Sequence, residues 1–349
     1  MKLFAGSYTE PVLEGLSGHG EGIYIFDFNE ESGKLVLELS EKNRNTAYLT
    51  VNRKKNLIYT FQEIIQENHP LLLTYELVNN VPKLINKQFI PGGLPCHLTN
   101  IKESELLTVA CYQTGNVIAF PLINGLPERE RQNIKHIGSS LNKTRQEGPH
   151  AHMTFFNDYD GKLYVPDLGL DQVIVYDISD LSQLSFRYGI NIPKGNGPRH
   201  ITFHPTNEFA FVMNELTGSV SLLKNNNGKF EWISEHETLP KDHTTVPSAS
   251  AIKISNDGQF IYCGNRSNHV ISILQFDHQS ESMHIIDHQS SYGETPRDFT
   301  LSPSGKWMIV ANQDSDNVIV FKVDIETGLL QKFSIHENLK SIVCLTFGE

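Results

Sequence analysis

Charged and imidazole side chains recur at related places in this sequence, and their chemistry suits an anionic substrate. Arg199 and Glu215 stand sixteen positions apart, Arg266 and Arg297 follow further along, and His152 lies upstream. Guanidinium groups bind oxyanions through charge-assisted hydrogen bonds, and an imidazole or a carboxylate can take a proton from water. A site built from such groups could activate a water molecule and stabilise a developing negative charge.

Each of these residues also has a purely structural interpretation. An arginine and a glutamate can simply neutralise one another, and a histidine or aspartate at a strand end can bond a neighbouring strand. The charge balance favours a binding role, because a chain with a formal net charge of −11 must gather positive groups locally if it binds an anion. The same negative charge argues against a nucleic-acid partner or an anionic membrane.

Other kinds of site find less support in the residue types. The four cysteines are Cys96, Cys111, Cys263 and Cys344. They form no Cys-x-x-Cys pair, so we expect reduced core thiols rather than a disulfide frame or a zinc site. His150 and His152 could share a strand face, but no third metal ligand is identifiable, and we predict neither a metal nor another cofactor. The absence of a Gly-x-Ser-x-Gly elbow leaves a serine-hydrolase mechanism unsupported.

Length and composition are typical of a soluble globular protein. Of the 349 residues, 39% are hydrophobic and 20% are charged, which is ample material for a core. No apolar run reaches the roughly 18 residues that cross a bilayer. Residues 1–7 lack the apolar stretch of a signal peptide. We therefore expect a cytoplasmic protein without a membrane partner.

A repeat of about fifty residues provides the elements that would position the charged groups. In its clearest copies an apolar residue precedes a strand-two valine by eleven positions, as Ile201 precedes Val212. The same spacing recurs in Phe299 to Val310, Leu49 to Thr60, Leu98 to Val109 and Ile252 to Cys263, and with one insertion in Met153 to Val165. A repeated four-stranded unit of this length is a propeller blade.

Two terminal fragments complete the ring. Six full units leave residues 3–7, which resemble a second strand, and residues 342–347, which resemble a first strand. Pairing them makes a seventh blade and removes exposed sheet edges that would invite aggregation. The sequence therefore predicts an all-β fold, a single seven-bladed β-propeller over residues 1–349 with four-stranded blades.

Two positions of each blade meet at one rim of the central channel. Strand one, the innermost strand, runs away from one face of the propeller, and strand two runs back to that face. The residues at the start of strand one and at the end of strand two therefore lie at the same rim. The position after strand two holds Glu63, Tyr112, Leu168, Glu215, Arg266 and Gln313. The start of strand one contributes His97, His152, Arg199, His200, Arg297 and Asp298. If these groups contact the substrate from a rigid rim, Arg199→Ala should leave folding almost intact and lower activity far more.

Several motifs resemble the lactonase family of seven-bladed propellers. They are Gly148-Pro149-His150-Ala151-His152, Gly197-Pro198-Arg199-His200, Asn214-Glu215-Leu216 and Gly264-Asn265-Arg266. The Trp-Asp dipeptides of WD40 blades and the repeated Gly-Gly doublets of kelch blades are missing. The resemblance implies hydrolysis of a sugar lactone, with 6-phosphogluconolactone as the expected substrate.

The resemblance also implies roles for individual residues. The predicted catalytic residues are His152, Glu215, Arg199 and Arg266. The predicted substrate-binding residues are His150, His200, Arg297 and Glu63. Either His152 or Glu215 would be the general base, and the arginines would bind the oxyanion or the anionic groups of the substrate. Two alternatives stay open, a muconate-type lactonizing enzyme and a non-catalytic propeller that binds a ligand or protein on its rim.

Overall fold

The chain folds into short antiparallel strands that form a ring of small sheets. The computed structural model describes residues 1–102, 104–179 and 182–348. Over these residues it contains twenty-nine strands and two short 3₁₀ turns, at Arg53–Lys55 and Gln66–Asn68. None of the described residues belongs to a helix long and apolar enough to cross a membrane.

The strands are numbered along the chain. The first twelve are β1 (Lys2–Ser7), β2 (Gly22–Asn29), β3 (Lys34–Lys42), β4 (Leu49–Asn52), β5 (Leu57–Phe61), β6 (Leu71–Val78), β7 (Val81–Phe89), β8 (Pro95–Ile101), β9 (Leu106–Cys111), β10 (Asn116–Ile123), β11 (Leu126–Pro127) and β12 (Gln132–Lys135). The next eight are β13 (Phe155–Asn157), β14 (Lys162–Asp167), β15 (Gln172–Ile178), β16 (Leu184–Asn191), β17 (Pro198–Phe203), β18 (Phe209–Asn214), β19 (Ser219–Asn226) and β20 (Lys229–Glu237). The last nine are β21 (Ala249–Ile254), β22 (Phe260–Asn265), β23 (Val270–Asp277), β24 (Ser282–Ser290), β25 (Pro296–Leu301), β26 (Trp307–Asn312), β27 (Asn317–Val323), β28 (Leu330–Glu337) and β29 (Ile342–Phe347).

Each blade is one antiparallel sheet whose strands follow one another outwards from the channel. Blade 1 is β4–β7, and blades 3 to 6 are β13–β16, β17–β20, β21–β24 and β25–β28. Blade 2 is β8, β9, β10 and β12, with the two-residue strand β11 added on β10. Blade 7 combines β29 with β1, β2 and β3. The predicted all-β, seven-bladed fold is confirmed.

Strand register tests the spacing on which the repeat was recognised. Five of the six predicted pairs lie directly opposite one another on strands one and two, among them Ile201 with Val212. The prediction for Met153 and Val165 is wrong. Strand β13 begins only at Phe155, and the register changes by one residue between this strand and the upstream bridge of Ala151 to Asp167. Met153 lies within that break.

Ring closure by the two termini is also confirmed. Strand β29 pairs antiparallel with β1, so that Leu3 lies opposite Phe347 and Ala5 opposite Leu345. Strand β29 thereby becomes the innermost strand of blade 7 and packs against the inner strands of blades 6 and 1. Blade 7 thereby has four strands like the other blades, and β1 is covered by β29 instead of being exposed as a sheet edge that could recruit another chain.

The hydrophobic core lies between the blades rather than in the channel. Seven apolar clusters fill the seven interfaces, and in one of them Phe211 and Met213 of blade 4 pack with Ile261 and Cys263 of blade 5. Strands β9, β18, β22 and β26 are buried along their whole length, whereas the outermost strands have many exposed residues. The channel is therefore free to carry polar side chains.

Bulges occur at the start of five inner strands, β8, β17, β21, β25 and β29, and they change which side chains face the channel. Arg199 in β17 is the extra residue between two regular pairs, and Cys96 in β8 and Arg297 in β25 hold the same position. In a regular strand Arg199 and His200 would point to opposite faces. A bulge re-aims side chains locally and is common beside active sites. Here it brings both side chains to the same end of the channel.

The closure by β29 predicts the effect of truncation. Removing residues 341–349 should unfold or aggregate the protein, because blade 7 would lose its inner strand and expose β1 as an edge. Within the intact chain, Leu345→Ala should lower the free energy of unfolding by about 2–5 kcal/mol, since the side chain is buried. The matched control is Leu329→Ala at an exposed position, which should change it by no more than about 0.5 kcal/mol. A truncated protein with the parent's melting temperature would contradict this account of closure.

Candidate active site

The side chain of Glu215 is the centre of a buried ion-pair network at one mouth of the channel. It directly follows β18, and only 5% of the side chain is exposed. One carboxylate oxygen, Oε2, accepts from Arg199 Nε at 3.1 Å and lies 3.0 Å from Arg266 Nη2. The other oxygen, Oε1, accepts from Arg145 Nη2 at 2.6 Å. Both oxygens are thus satisfied by charged donors, which form the stronger class of protein hydrogen bonds.

Backbone hydrogen bonds fix Glu215 against its own blade and the next. Its N–H donates to the carbonyl of Gly197 at 2.8 Å, and its carbonyl accepts from the N–H of Ala249 at 3.2 Å. The turn before Arg199 depends on Gly197, which has φ +66°. A Cβ at that position would lie 2.6 Å from Leu216 Cγ, so a larger residue would strain the turn.

Carbonyl groups of blade 5 hold two of the arginines in place. Arg199 Nη1 donates to the carbonyl of Ser250 at 2.7 Å, and Arg266 Nη2 donates to the carbonyl of Ala249 at 2.9 Å. Arg199 is only 4% exposed. The bulge turns Arg199 into the channel, and its removal would leave a buried carboxylate with one partner fewer. This burial argues against the expectation that Arg199→Ala leaves folding almost intact.

The third arginine comes from the loop between blades 2 and 3. Arg145 also donates to the hydroxyl of Tyr112 at 3.1 Å, and 41% of its side chain is exposed. Its neighbour Gln146 anchors the loop, since the buried side-chain amide donates to the carbonyl of Leu168 at 2.9 Å and to Asp171 Oδ1 at 2.8 Å. Arg145 is thus the solvent-facing member of the cluster.

The surrounding guanidiniums decide the protonation state of Glu215. Burial by itself would raise the pKa of this carboxyl group. The charges of Arg266, Arg145 and Arg199 outweigh burial and hold the pKa of Glu215 well below its usual range. The group therefore stays ionised at neutral pH, and both of its oxygens already accept hydrogen bonds from guanidiniums, which leaves neither free to take a proton from water.

His152 has the opposite character. Its Nε2 lies 3.7 Å from Glu215 Oε2, while its Nδ1 has no hydrogen-bond partner among the described residues. Burial and then the charge of Arg199 hold the pKa of His152 well below its usual value. The imidazole is consequently neutral at pH 7, with a lone pair available to accept a proton.

A second polar group faces the Glu215 cluster across the channel. Arg297 Nη2 donates to the hydroxyl of Tyr8 at 2.8 Å, and that hydroxyl donates to Glu63 Oε2 at 3.0 Å. The guanidinium of Arg297 also lies 5.1 Å from the centre of the Tyr8 ring. Burial raises the pKa of Glu63, against the opposing charge of Arg297. The structure therefore gives Glu63 a tyrosine as its direct partner.

A small cavity, called here the upper chamber, lies between the two groups. It has a volume of about 20 Å³, and its polar lining includes Tyr8, Glu63, His152, Arg199 and Arg297. A polar cavity of this size accommodates about one water molecule. A sugar ring is far larger, so a substrate of that kind would have to approach from the solvent side of the cluster.

The other predicted residues lie close by but contact different groups. His150 stacks on Tyr112 with ring centres 4.4 Å apart. Its Nδ1 lies 2.8 Å from the Tyr112 carbonyl oxygen and its Nε2 lies 3.2 Å from Glu147 Oε1. His200 lies deeper in the channel, where its Nε2 is 3.1 Å from Arg199 Nη1. The structure brings His152, Arg199 and Arg266 onto Glu215 and places His150 beside them.

The donor set around Glu215 does not suit a metal ion. Among residues 1–102, 104–179 and 182–348, no three His, Cys, Asp or Glu side chains are grouped so that they could hold one. His150 and His152 face different partners. Three guanidiniums on the nearest carboxylate would also repel a cation.

Three residues of the site were missing from the predicted set. Tyr8 follows strand two of blade 7 and so occupies the position that Glu63 and Glu215 hold in their blades. Blade 7 is formed from both termini, and applying the same position after strand two to this blade would have identified Tyr8. Tyr112 holds the same position in blade 2. Arg145 lies in a connecting loop outside the repeat, so no spacing rule points to it.

Comparison with known protein families agrees with the fold and the motifs. The family model for "Lactonase, 7-bladed beta-propeller" matches residues 2–347. The chain belongs to this lactonase family. The match covers all seven blades, including the blade assembled from both termini.

Individual lactonases resemble the chain along its whole length. The 6-phosphogluconolactonase of Formosa agariphila is 32% identical over 341 residues, which cover 95% of this chain and 94% of the relative. The 6-phosphogluconolactonase of Bacillus subtilis is 29% identical over 350 residues, covering 99% and 97%. Among solved structures, the periplasmic gluconolactonase of Pseudomonas aeruginosa superposes with a TM-score of 0.88 at 25% identity, covering 100% of this chain and 99% of that one.

The ion-pair network predicts a large stability effect at Glu215. Glu215→Gln should lower the free energy of unfolding by about 3–5 kcal/mol, because it leaves buried guanidiniums without their counter-charge. The matched control is Glu281→Gln, which removes a half-exposed partner of Lys224 and should cost about 0–1 kcal/mol. Urea denaturation measures both. Equal losses in the two variants would show that the network does not depend on Glu215.

Proposed function

We propose that this lactonase hydrolyses 6-phosphoglucono-δ-lactone to 6-phosphogluconate. The observation that carries the proposal is a cluster of four guanidiniums at the channel mouth of a chain whose net charge is −11. The charged side chains there are Arg145, Arg199, Arg266, Arg297, Glu63, Glu147, Glu215 and Asp298. Three of the guanidiniums gather on the single carboxylate of Glu215, and such a local concentration of N–H donors suits a phosphate group carrying about two negative charges. The names of the Formosa and Bacillus relatives support the same substrate.

The exposure of the arginines supports an orientation for the substrate. Arg145 is the most exposed of the three guanidiniums on Glu215 and Arg266 is the next. In this proposal these two bind the phosphate, which approaches from solvent. Arg199 lies deeper, next to His152 and the upper chamber, and is aimed at the lactone carbonyl. There it stabilises the oxyanion that forms when water attacks.

The proton acceptor in this proposal is His152 rather than Glu215. His152 is neutral at pH 7 and lines the upper chamber, which is large enough for one water molecule. It takes a proton from that water as the oxygen attacks the lactone carbonyl, and the ring opens when the ester oxygen leaves and is protonated. Glu215 stays ionised, gathers the arginines and stabilises the imidazolium that forms on His152.

Hydrolysis of a panel of lactones tests the function directly. The panel contains 6-phosphogluconolactone, unphosphorylated glucono-δ-lactone and a muconolactone, each assayed by proton release in a chelator after subtraction of the spontaneous rate. The proposal expects the phosphorylated sugar lactone to give the highest kcat/KM. Turnover of the muconolactone alone would favour a lactonizing enzyme, and no turnover of any lactone would favour a non-catalytic binding propeller.

Arginine variants separate phosphate binding from catalysis. Arg145→Ala should raise the KM for the phosphorylated lactone about tenfold or more, because the phosphate loses one charge-assisted hydrogen bond. The same variant should hardly change kcat/KM for the unphosphorylated lactone. Arg199→Lys should lower turnover of both lactones by about 10²–10³, as expected for an oxyanion donor. Equal losses on the two lactones in Arg145→Ala would contradict the assigned phosphate position.

The pKa of His152 predicts an unusual pH dependence. An imidazole with an ordinary pKa of about 6.5 would be half protonated, and half inactive as a base, at that pH. Because the pKa of His152 is lowered, the base stays neutral as the pH falls through 6.5, and kcat/KM should stay level down to about pH 6. The measurement is a pH–rate profile from pH 5 to 8. An acid-side inflection at or above pH 6.5 would argue against His152 as the base.

A further inference from the structure

The channel has a second cavity at the end opposite the Glu215 cluster. It has a volume of about 360 Å³, within the range of cavities that hold small ligands. Its lining comes from the middle and far ends of the inner strands, whereas the upper chamber is lined by their beginnings. We call it the lower chamber. The ring of Tyr48 is the side chain that borders both cavities.

The lower chamber is lined by a polar ring that repeats around the propeller. In every blade the residue directly after the apolar inner-strand position is polar. The seven residues are Thr50, Thr99, Thr154, Thr202, Lys253, Thr300 and Thr346. Six blades supply a threonine and blade 5 supplies the lysine. Five of these side chains line the cavity: Thr50, Thr99, Thr154, Lys253 and Thr346.

Two buried side chains in this chamber lack the partners that buried polar groups normally have. His97 is 4% exposed and lines the cavity, yet neither of its ring nitrogens has a hydrogen-bond partner among the described residues. The side-chain amide of Asn100, also in the lining, has neither its nitrogen nor its oxygen paired within that part of the chain. Leaving a buried polar group unpaired is unfavourable. A ligand that supplies the missing hydrogen bonds removes this cost.

The chemistry of the lining selects the class of ligand. Lys253 forms no hydrogen bond and no ion pair with the residues the structure describes, although its charge also acts on the buried carboxyl group of Asp298. Threonine hydroxyls, an amide N–H₂ and an imidazole N–H are all hydrogen-bond donors. Lys102 and Asp158 also line the cavity, so two lysines stand against one carboxylate there. This excess of positive charge disfavours a cation, and an apolar ligand would leave the donors unpaired. We propose that the lower chamber is a second binding site, for a small molecule that carries an oxyanion such as phosphate.

A chain of contacts links this chamber to the catalytic groups. The rings of His97 and His200 have centres 5.8 Å apart, and His200 Nε2 lies 3.1 Å from Arg199 Nη1. An anion bound beside His97 would therefore lie about two side chains from the guanidinium aimed at the lactone. The proposed oxyanion site does not depend on which lactone is hydrolysed, so failure of the 6-phosphogluconolactone assay leaves it intact.

Calorimetric titration with inorganic phosphate tests the second site. The parent protein should bind two phosphates per chain, one at the arginines and one in the lower chamber. Lys253→Met keeps the length of the side chain and removes its charge, so it should weaken one of the two sites about tenfold or more. Arg145→Ala should weaken the other. Lys34→Met, at an exposed position of β3, is the matched control and should leave both sites unchanged.

A second variant guards against a folding defect in Lys253→Met. Asn100→Leu removes the unpaired amide and keeps the size of the side chain, and it should weaken the same phosphate site as Lys253→Met. Retained melting temperatures would show that both variants are folded. The proposal is overturned if the parent binds at most one phosphate and Arg145→Ala abolishes it. It is equally overturned if folded Lys253→Met and Asn100→Leu bind two phosphates with the parent's affinities.

Discussion

A buried carboxylate must be paired, and this requirement at Glu215 organises one whole end of the channel. An unpaired ion of this kind costs several kcal/mol to bury. Blade 4 supplies Glu215 and Arg199, blade 5 supplies Arg266, and the loop between blades 2 and 3 supplies Arg145. The ion pairs thus tie three parts of the ring together. They also keep the pKa of the carboxyl group low and occupy both of its oxygens, which supports the proposed role of His152 as the proton acceptor.

The propeller supplies these groups from a simple repeat with one local departure, a strand bulge. The position after strand two brings one residue per blade to the channel mouth, which places Tyr8, Glu63 and Glu215 there. The bulge at the start of β17 adds Arg199 and His200 from consecutive positions. Because apolar packing lies between blades, the channel can hold ionised groups without weakening the core. The same repeat lines the opposite end of the channel with threonines and Lys253.

The sequence was sufficient to predict the ring, its closure and the nearness of His152, Arg199 and Arg266 to Glu215 in the candidate site. The eleven-residue spacing identifies the blades because Ile201 and Val212 lie directly opposite each other on two paired strands. The spacing in the sequence therefore equals the distance along the chain between paired residues. It failed at Met153, where a one-residue insertion breaks the register. Arg145 could not be predicted, because its position depends on a loop held by Gln146 rather than on any strand. The burial of Arg199 was missed because a bulge leaves no mark in residue spacing.

A double-mutant cycle between Glu215 and Arg199 tests the central role of the buried carboxylate most directly. The free energy of unfolding is measured for Glu215→Gln, for Arg199→Met and for the variant that carries both substitutions. A second cycle pairs Glu215→Gln with Arg187→Met, at a mostly exposed site, and serves as the control in which the losses should add. If the carboxylate and guanidinium stabilise each other, the loss of unfolding free energy in the double variant should be smaller than the sum of the two single losses by at least about 1 kcal/mol. Losses that add within about 0.5 kcal/mol in both pairs would show that Glu215 does not organise the cluster.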